Sequence, residues 1–319
     1  MTELPLVSVI CLCYNHERFV AETLNSVWTQ TYPGLEVIIV DDASTDDSVK
    51  VIRQFLETHP VSFPVKTLFL EENIGNCAAF NRAWRMSEGD FVIDLATDDV
   101  LLPGRISRQL SQFASLPPDY GVVFSEARYI DEAGRPMYDH FAERYRHIRP
   151  VPQGAIFPEV LARYFIPSPT MTVRREVFDR LGGYDENLAY EDFDFWVRSS
   201  RHFRYAYLDE CTTLIRKSRT SMSQGWYKVG DRQLHATYLV CEKVRILTQT
   251  PREKQALLSR VKFEVRQAVF SGNFEEATHF FRILREEAGI HGIYRLLRLL
   301  HVLRVNLSWL RQLYLHIRY

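Results

Sequence analysis

Three of the acidic pairs along the 319 residues stand out: Asp41-Asp42, Asp98-Asp99 and Glu191-Asp192. Paired carboxylates can hold a hard divalent cation such as Mg2+ or Mn2+, and a single one can take a proton from a hydroxyl. A cation of that kind neutralises a diphosphate so that it can leave. Each cluster also has a plainer reading, as a solvated loop or as the negative charge that suits a helix N-terminus. The first two clusters differ from ordinary loops in what precedes them. Val37-Ile-Ile-Val40 and Phe91-Val-Ile-Asp-Leu95 are near-continuous apolar runs, as expected of strands buried on both faces. Open α/β sheets bind their ligands beyond the carboxyl ends of such strands. Successive side chains of an extended backbone point to opposite sides. One of Asp98 and Asp99 can therefore face a metal while the other meets a sugar hydroxyl or a supporting group.

The elements that must place these clusters alternate. Strands are predicted at 7–13, 36–40, 65–70 and 91–95, with helices at 17–30, 46–58 and 78–86 between them. A further helix is expected to open at Pro103. This β-α-β-α-β-α-β order with short connections predicts right-handed crossovers and a mostly parallel sheet. A strand at 121–125 and a hairpin turn at 130–134 follow. Residues 137–152 are aromatic, basic and irregular, and read as a mobile loop, of which 138–149 either covers an acceptor or is simply solvated. Then come a strand at 171–173, a helix at 175–181 ended by Gly182-Gly183, a helix at 191–201, and short strands at 205–208 and 212–216. After Gly230 the pattern is all helix: 232–248, 251–270, 274–288 and 290–319. No G-x-x-x-x-G-K-[ST] and no G-x-G-x-x-G is present, which argues against a P-loop or a dinucleotide enzyme.

Composition excludes other classes. The formal net charge of −1 carries no nucleic-acid signature. Charge is uneven, however: residues 289–319 hold five arginines and no Asp or Glu, leaving 34 basic against 40 acidic residues elsewhere. The five cysteines form no C-x-x-C pair and no zinc spacing, which fits a reducing, cytoplasmic compartment. No basic region precedes the first apolar run, so no secretory leader is expected. No uninterrupted apolar stretch reaches 18 residues, so no ordinary transmembrane helix is expected either.

Five motifs in one order resemble a known family. They are Val7-Ser-Val-Ile with Tyr14-Asn15, Val40-Asp-Asp-Ala-Ser-Thr-Asp46, Asn73-Ile-Gly75 with Asn81, Thr97-Asp-Asp-Val-Leu-Leu-Pro103, and Gly182-Gly-Tyr-Asp185 with Glu191-Asp192. Together, over about residues 5–225, they are similar to the family 2 glycosyltransferases, inverting enzymes of GT-A fold. That resemblance implies a Rossmann-like GT-A domain at 1–225 and a helical region at 226–319. It implies a nucleotide diphosphate sugar as donor, a saccharide or lipid-linked acceptor, surface polysaccharide synthesis as the setting, and Mg2+ or Mn2+ as cofactor. Tyr14 would stack on the donor base and Asp42 would accept its N3–H. Asp41 would hold the ribose or orient its loop, with Asn15, Asn73 and Asn81 in the same donor-binding motifs. Asp99 would bind the metal, Asp98 would contact the donor sugar or ribose, and Asp192 would be the general base.

The chain also departs from the family pattern. Ala96 stands where many relatives have Asp, Phe80 where a basic residue is common, and Ser218 where a His is common. Arg216, Lys217 and Arg219 could instead neutralise the diphosphate, or form an exposed basic loop. The departures leave a non-catalytic binding protein of the same fold as the rival reading. A sugar nucleotidyltransferase is the third, but Cys13-Tyr-Asn-His16 lacks the glycines of its phosphate loop. On a helical wheel, residues 293–319 place most arginines opposite Leu296, Leu299, Val302, Leu303 and Leu307. Such a helix suits an anionic membrane surface, a homo-oligomer contact or packing on the preceding helices.

Overall fold

The computed structural model describes residues 4–218, 227–230 and 232–308. The first elements are β1 (Val7–Cys13), α1 (Val20–Trp28), β2 (Leu35–Asp41), α2 (Ser48–Thr58), β3 (Val65–Phe69), α3 (Asn76–Met86) and β4 (Phe91–Ala96). Next come β5 (Val100–Leu101), α4 (Arg105–Ala114), β6 (Tyr120–Ile130), β7 (Pro136–Asp139), α5 (Phe157–Ala162), β8 (Thr172–Arg174), α6 (Arg175–Leu181), α7 (Asp192–Ser200) and β9 (Arg204–Arg216). The chain continues in α8 (Arg232–Leu247), α9 (Pro251–Ser271), α10 (Phe274–Ala288) and α11 (Ile293–Val302). This is the expected GT-A-like sheet with flanking helices, followed by a helical region.

One sheet runs in the order β3-β2-β1-β4-β8-β6-β9-β5, with β7 on β6. β1 pairs parallel with β2 and β4, and β2 parallel with β3. Every residue of β1 and β2 is buried, which is why both read as unbroken apolar runs. Beyond β4 the sheet is mixed, because the three-residue β8 runs antiparallel to both β4 and β6. The two short strands expected near 205–216 are one, β9, parallel to β6. Its register slips between Ser125 and Ala127, and Asp209 and Glu210 fall in the bulge. That polar pair made one strand look like two.

The helix expected to open at Pro103 begins instead at Arg105, after Gly104 in the left-handed region. Arg105 is fully buried. Its guanidinium donates to Pro169 O at 2.7 Å, Met171 O at 2.9 Å and Thr213 Oγ1 at 3.0 Å. A short polar segment before β8 is thereby tied to the sheet.

The chain divides into two compact units. The first holds Met1–Ile156, Phe165–Asn187 and Asp194–Ser218; the second holds Phe157–Tyr164, Leu188–Phe193 and Arg219–Tyr319. Within the second, Arg260 and Glu264 form a buried pair at 3.1 Å, and the guanidinium stands 3.9 Å from the Tyr164 ring. A capping box of Thr250 and Glu253 starts α9. The long helix expected at 290–319 stops early. Arg304 N–H donates to His301 O and Val305 N–H to Leu300 O, both at 3.0 Å, with Arg304 at φ 50°. This is a Schellman stop with arginine where glycine is usual. The wheel drawn over 293–319 therefore holds only for α11, and residues 309–319 lie outside the described residues.

Replacing Arg105 by Met keeps most of the stem's volume but strands buried carbonyls. The expected loss of stability is on the order of 3 kcal/mol. Urea denaturation checks it, and an unchanged midpoint would contradict the role assigned to Arg105.

Candidate active site

Tyr14-Asn15-His16 follow β1, and Thr97-Asp98-Asp99 follow its neighbour β4. From β1 the chain builds outward to β2 and β3, then returns to the other side of β1 as β4. The carboxyl ends of β1 and β4 thus frame the crevice where strand order reverses. His16 spans it, with Nδ1 at 2.9 Å from Thr97 Oγ1 and Nε2 at 4.0 Å from Asp98 Oδ2. His16 is absent from the site residues expected from the sequence. Its position directly after the first buried strand was the available signal.

Asp99 is only 3% exposed. Its Oδ1 accepts the Arg216 N–H at 2.8 Å, and its backbone carbonyl accepts the Thr23 hydroxyl at 2.7 Å. Burial first, then the Asp98 charge, push the Asp99 carboxyl well above the usual carboxylate range. The Arg216 N–H and the charges of Lys217 and Arg216 oppose that shift. Among the described residues Asp99 Oδ2 and the Asp98 carboxylate have no hydrogen-bond partner. Two adjacent carboxylates with open oxygens, one raised by the other's charge, fit a hard divalent cation. No three His, Cys, Asp or Glu side chains converge on a point among the described residues. Further ligands would have to be phosphate and water oxygens.

Arg216 is buried and each nitrogen of its guanidinium has a partner. Nε donates to Asp98 O at 2.9 Å, Nη1 to Asp131 O at 3.2 Å and Nη2 to Glu22 Oε2 at 2.5 Å. The guanidinium lies 4.7 Å from the Phe19 ring centroid. These partners make it a brace behind the acidic turn rather than an open diphosphate ligand. Lys217 follows it, with Nζ 4.9 Å from the Tyr129 ring. Arg219 lies outside the described residues.

The remaining residues of the first unit divide between exposed and bracing. Tyr14 is 45% exposed, so its ring face is open. Asn15, at φ 58°, accepts the Thr45 N–H at 2.8 Å and donates its own N–H to Ser44 Oγ at 2.8 Å. Asp41 accepts the Ser44 N–H at 2.9 Å and its hydroxyl at 2.5 Å. Asp42 takes the Ile74 and Gly75 N–H groups at 2.8 and 3.0 Å, one on each oxygen. An ionised carboxylate has about four acceptor sites, so capacity remains for one more donor. Asn73 Nδ2 donates to Asp42 O at 3.2 Å. Asn81 is buried and grips the Tyr184 backbone, donating to its carbonyl and accepting its N–H, both at 2.9 Å. A Cβ on Gly183, which sits at φ +87°, would come within 2.4 Å of Asn81 Oδ1. Gly183 and Asn81 are therefore one fitted piece. Phe80, where a basic residue was looked for, is fully buried against Tyr184 at 4.3 Å between ring centroids.

Asp192 is the first residue of α7 and belongs to the second unit. A helix N-terminus favours the charged form of a carboxylate. Within the first unit, Asp194 and Arg198 pair at 2.6 Å, and Arg198 donates to Leu181 O and Gly183 O, both at 3.0 Å. These contacts fasten the body of α7 to the segment that Asn81 also holds.

Comparison with known proteins agrees with this fold. An uncharacterized glycosyltransferase of Methanocaldococcus jannaschii is 29% identical over 202 residues, covering 61% of this chain and 64% of that protein. The Bacillus subtilis glycosyltransferase EpsE is 27% identical over 251 residues, covering 76% of this chain and 84% of that one. The chain spans only 59% to 64% of the length of the first curated relatives. Among solved structures, Staphylococcus aureus TarS in complex with UDP-GlcNAc matches with a TM-score of 0.67 at 18% identity, over 94% of this chain and 88% of that chain. The mannosyltransferase PcManGT of Pyrobaculum calidifontis, in complex with GDP-Man and Mn2+, matches at 0.60 and 19%, over 95% and 86%. At such identities the likeness is one of fold. The sequence model "Glycosyl transferase family 2" matches residues 8–182, from β1 to the glycine that ends α6, and with more than half of its length so matched the chain belongs to that family.

Proposed function

We propose that the chain transfers one sugar from a nucleotide diphosphate sugar to a hydroxyl of a saccharide or lipid-linked saccharide, with inversion, in surface polysaccharide synthesis. The observation that carries this reading is the Asp98-Asp99 pair, with open oxygens, at the strand-order reversal. The donors in complex with two structural neighbours, UDP-GlcNAc and GDP-Man with Mn2+, support the donor class. Asp99 would hold Mg2+ or Mn2+, which supplies the neutralising charge for the departing diphosphate, and Asp98 would contact the donor sugar or ribose.

The protein's own residues do the rest. Tyr14 stacks on the base and Asp42 accepts its N3–H. Asn15, Asp41 and Asn73 keep the two loops in place, and Asn81 and Arg216 act as positioning residues. Asp192 takes the proton from the acceptor hydroxyl as that oxygen forms the new bond to the anomeric carbon. The bond to the diphosphate oxygen breaks on the opposite face, and its electron pair leaves with the nucleotide.

The apolar side of α11 faces solvent: Leu296 is 50% and Leu299 54% exposed, beside Arg295 and Arg298. No described helix is long and apolar enough to cross a membrane. A basic helix with exposed leucines suits docking on an anionic cytoplasmic membrane face, next to a lipid-linked acceptor.

Asp192→Asn is expected to bind donor normally and to lose on the order of 10²–10⁴-fold in transfer. Steady-state rates close to wild type would remove Asp192 as the base. Asp99→Ala should weaken Mn2+-dependent nucleotide diphosphate binding far more than Asp98→Ala, read by calorimetric titration. Equal losses would contradict the assignment. Full-length protein should float with phosphatidylglycerol vesicles at low salt, and the Leu296→Glu/Leu299→Glu variant should not. Flotation of both, or of neither, makes the stripe an oligomer or packing face.

A further inference from the structure

The segment after β7 carries side chains that the transfer reading leaves unused. It was expected to be an irregular lid, but buried groups pin it. Residues His140–Arg144 form a π turn closed by Tyr145 N–H donating to His140 O at 2.7 Å. Single π turns recur at functional sites. Glu126, nearly buried, accepts the Phe141 and Ala142 N–H groups at 2.9 Å. His140 Nε2 lies 2.7 Å from Phe165 O, where it can only donate. Nδ1 must then accept, and the Tyr129 hydroxyl donates to it at 3.0 Å. Burial pushes this imidazole down to about 4, so it stays neutral.

The anchored turn brings Arg144 against tyrosine rings, and the end of β9 brings Lys217. Tyr138 pairs with Tyr129 across β6 and β7, ring centroids 4.6 Å apart. Arg144 Nη1 donates to the Tyr138 hydroxyl at 2.8 Å, and its guanidinium stands 5.7 Å from the rings of Tyr138 and Tyr145. Among the described residues Arg144 pairs with no carboxylate. Lys217 lies over the Tyr129 ring on the same group of strands. β9 links this group to the acidic turn, because Arg216, next to Lys217, is the residue whose N–H holds Asp99.

We propose that Tyr138, Tyr145, Arg144 and Lys217 form an acceptor subsite for a sugar that bears a carboxylate or a phosphate. The inference rests on the transfer reading above. Tyrosine faces suit the apolar face of a pyranose ring, which a bare phosphate does not offer. A guanidinium fork matches carboxylate and phosphate alike. The donor's diphosphate is the other anion that could claim these cations, and the two sources are separable.

The test titrates the full chain with methyl glucuronide, glucose 6-phosphate and neutral methyl glucoside, followed by NMR. UDP and GDP with Mn2+ are titrated in parallel. The anionic sugars should bind about tenfold more tightly than the neutral one, as expected of one charge-assisted contact. Arg144→Gln should abolish that preference, Arg144→Lys should retain part of it, and both should leave nucleotide affinity unchanged. Equal affinity for the three sugars would overturn the proposal. So would a loss of nucleotide affinity in Arg144→Gln that matches the loss of sugar affinity. Binding of the anionic sugars without any nucleotide binding would instead sink the transfer reading and leave the subsite standing.

Discussion

Asp99 is a carboxylate taken out of water beside a second carboxylate, and a charge so placed must be compensated by its surroundings. The compensation comes from far along the chain. The Arg216 amide meets Oδ1 directly, and the Arg216 side chain closes over the Asp98 carbonyl. Glu22 on α1 holds that guanidinium in turn. The 13-residue length of β9 puts its last residue at this point, and the bulge opposite Ser125–Ala127 sets its register. The unfilled oxygen on Asp99 is then a part of the arrangement that a cation can complete.

The loops around the crevice are made rigid by short polar side chains rather than by apolar packing. Asp41 folds back on Ser44, Asp46 on Ser48, and Asn15 locks onto Thr45. Such local bonds give irregular backbone the partners that a helix or ladder would otherwise provide. They hold the loops while Tyr14 keeps an exposed ring. A site whose geometry is set before the ligand arrives loses less entropy on binding it.

Much of this was legible in the sequence. β1, β2 and β4 were readable because strands buried on both faces leave unbroken apolar runs, and the acidic pairs at their ends follow from where such sheets bind ligands. Pairings of short or bulged strands were not readable: β5 has two residues, β8 has three, and β9 looked interrupted at Asp209-Glu210. The bracing roles of Arg216 and Asn81 depend on partners as much as 194 residues away, which no local pattern records. The stop of α11 was hidden because Arg304 occupies a left-handed position that glycine usually marks. The aromatic, basic stretch after β7 looked loose because its anchors, Glu126 and Phe165, come from other segments.

The central claim is that the crevice at the ends of β1 and β4 binds a nucleotide diphosphate sugar through the acidic pair and a divalent cation. The most direct measurement is a thermal-shift series with UDP-, GDP-, CDP- and dTDP-sugars, each in Mn2+ and in EDTA. A ligand that binds only the folded state at about a hundred times its Kd adds roughly 2.7 kcal/mol of stability. The account predicts that one nucleotide raises the midpoint by several degrees in Mn2+, and that EDTA removes most of the shift. No shift with any of the four in Mn2+, or a shift indifferent to EDTA, would contradict it.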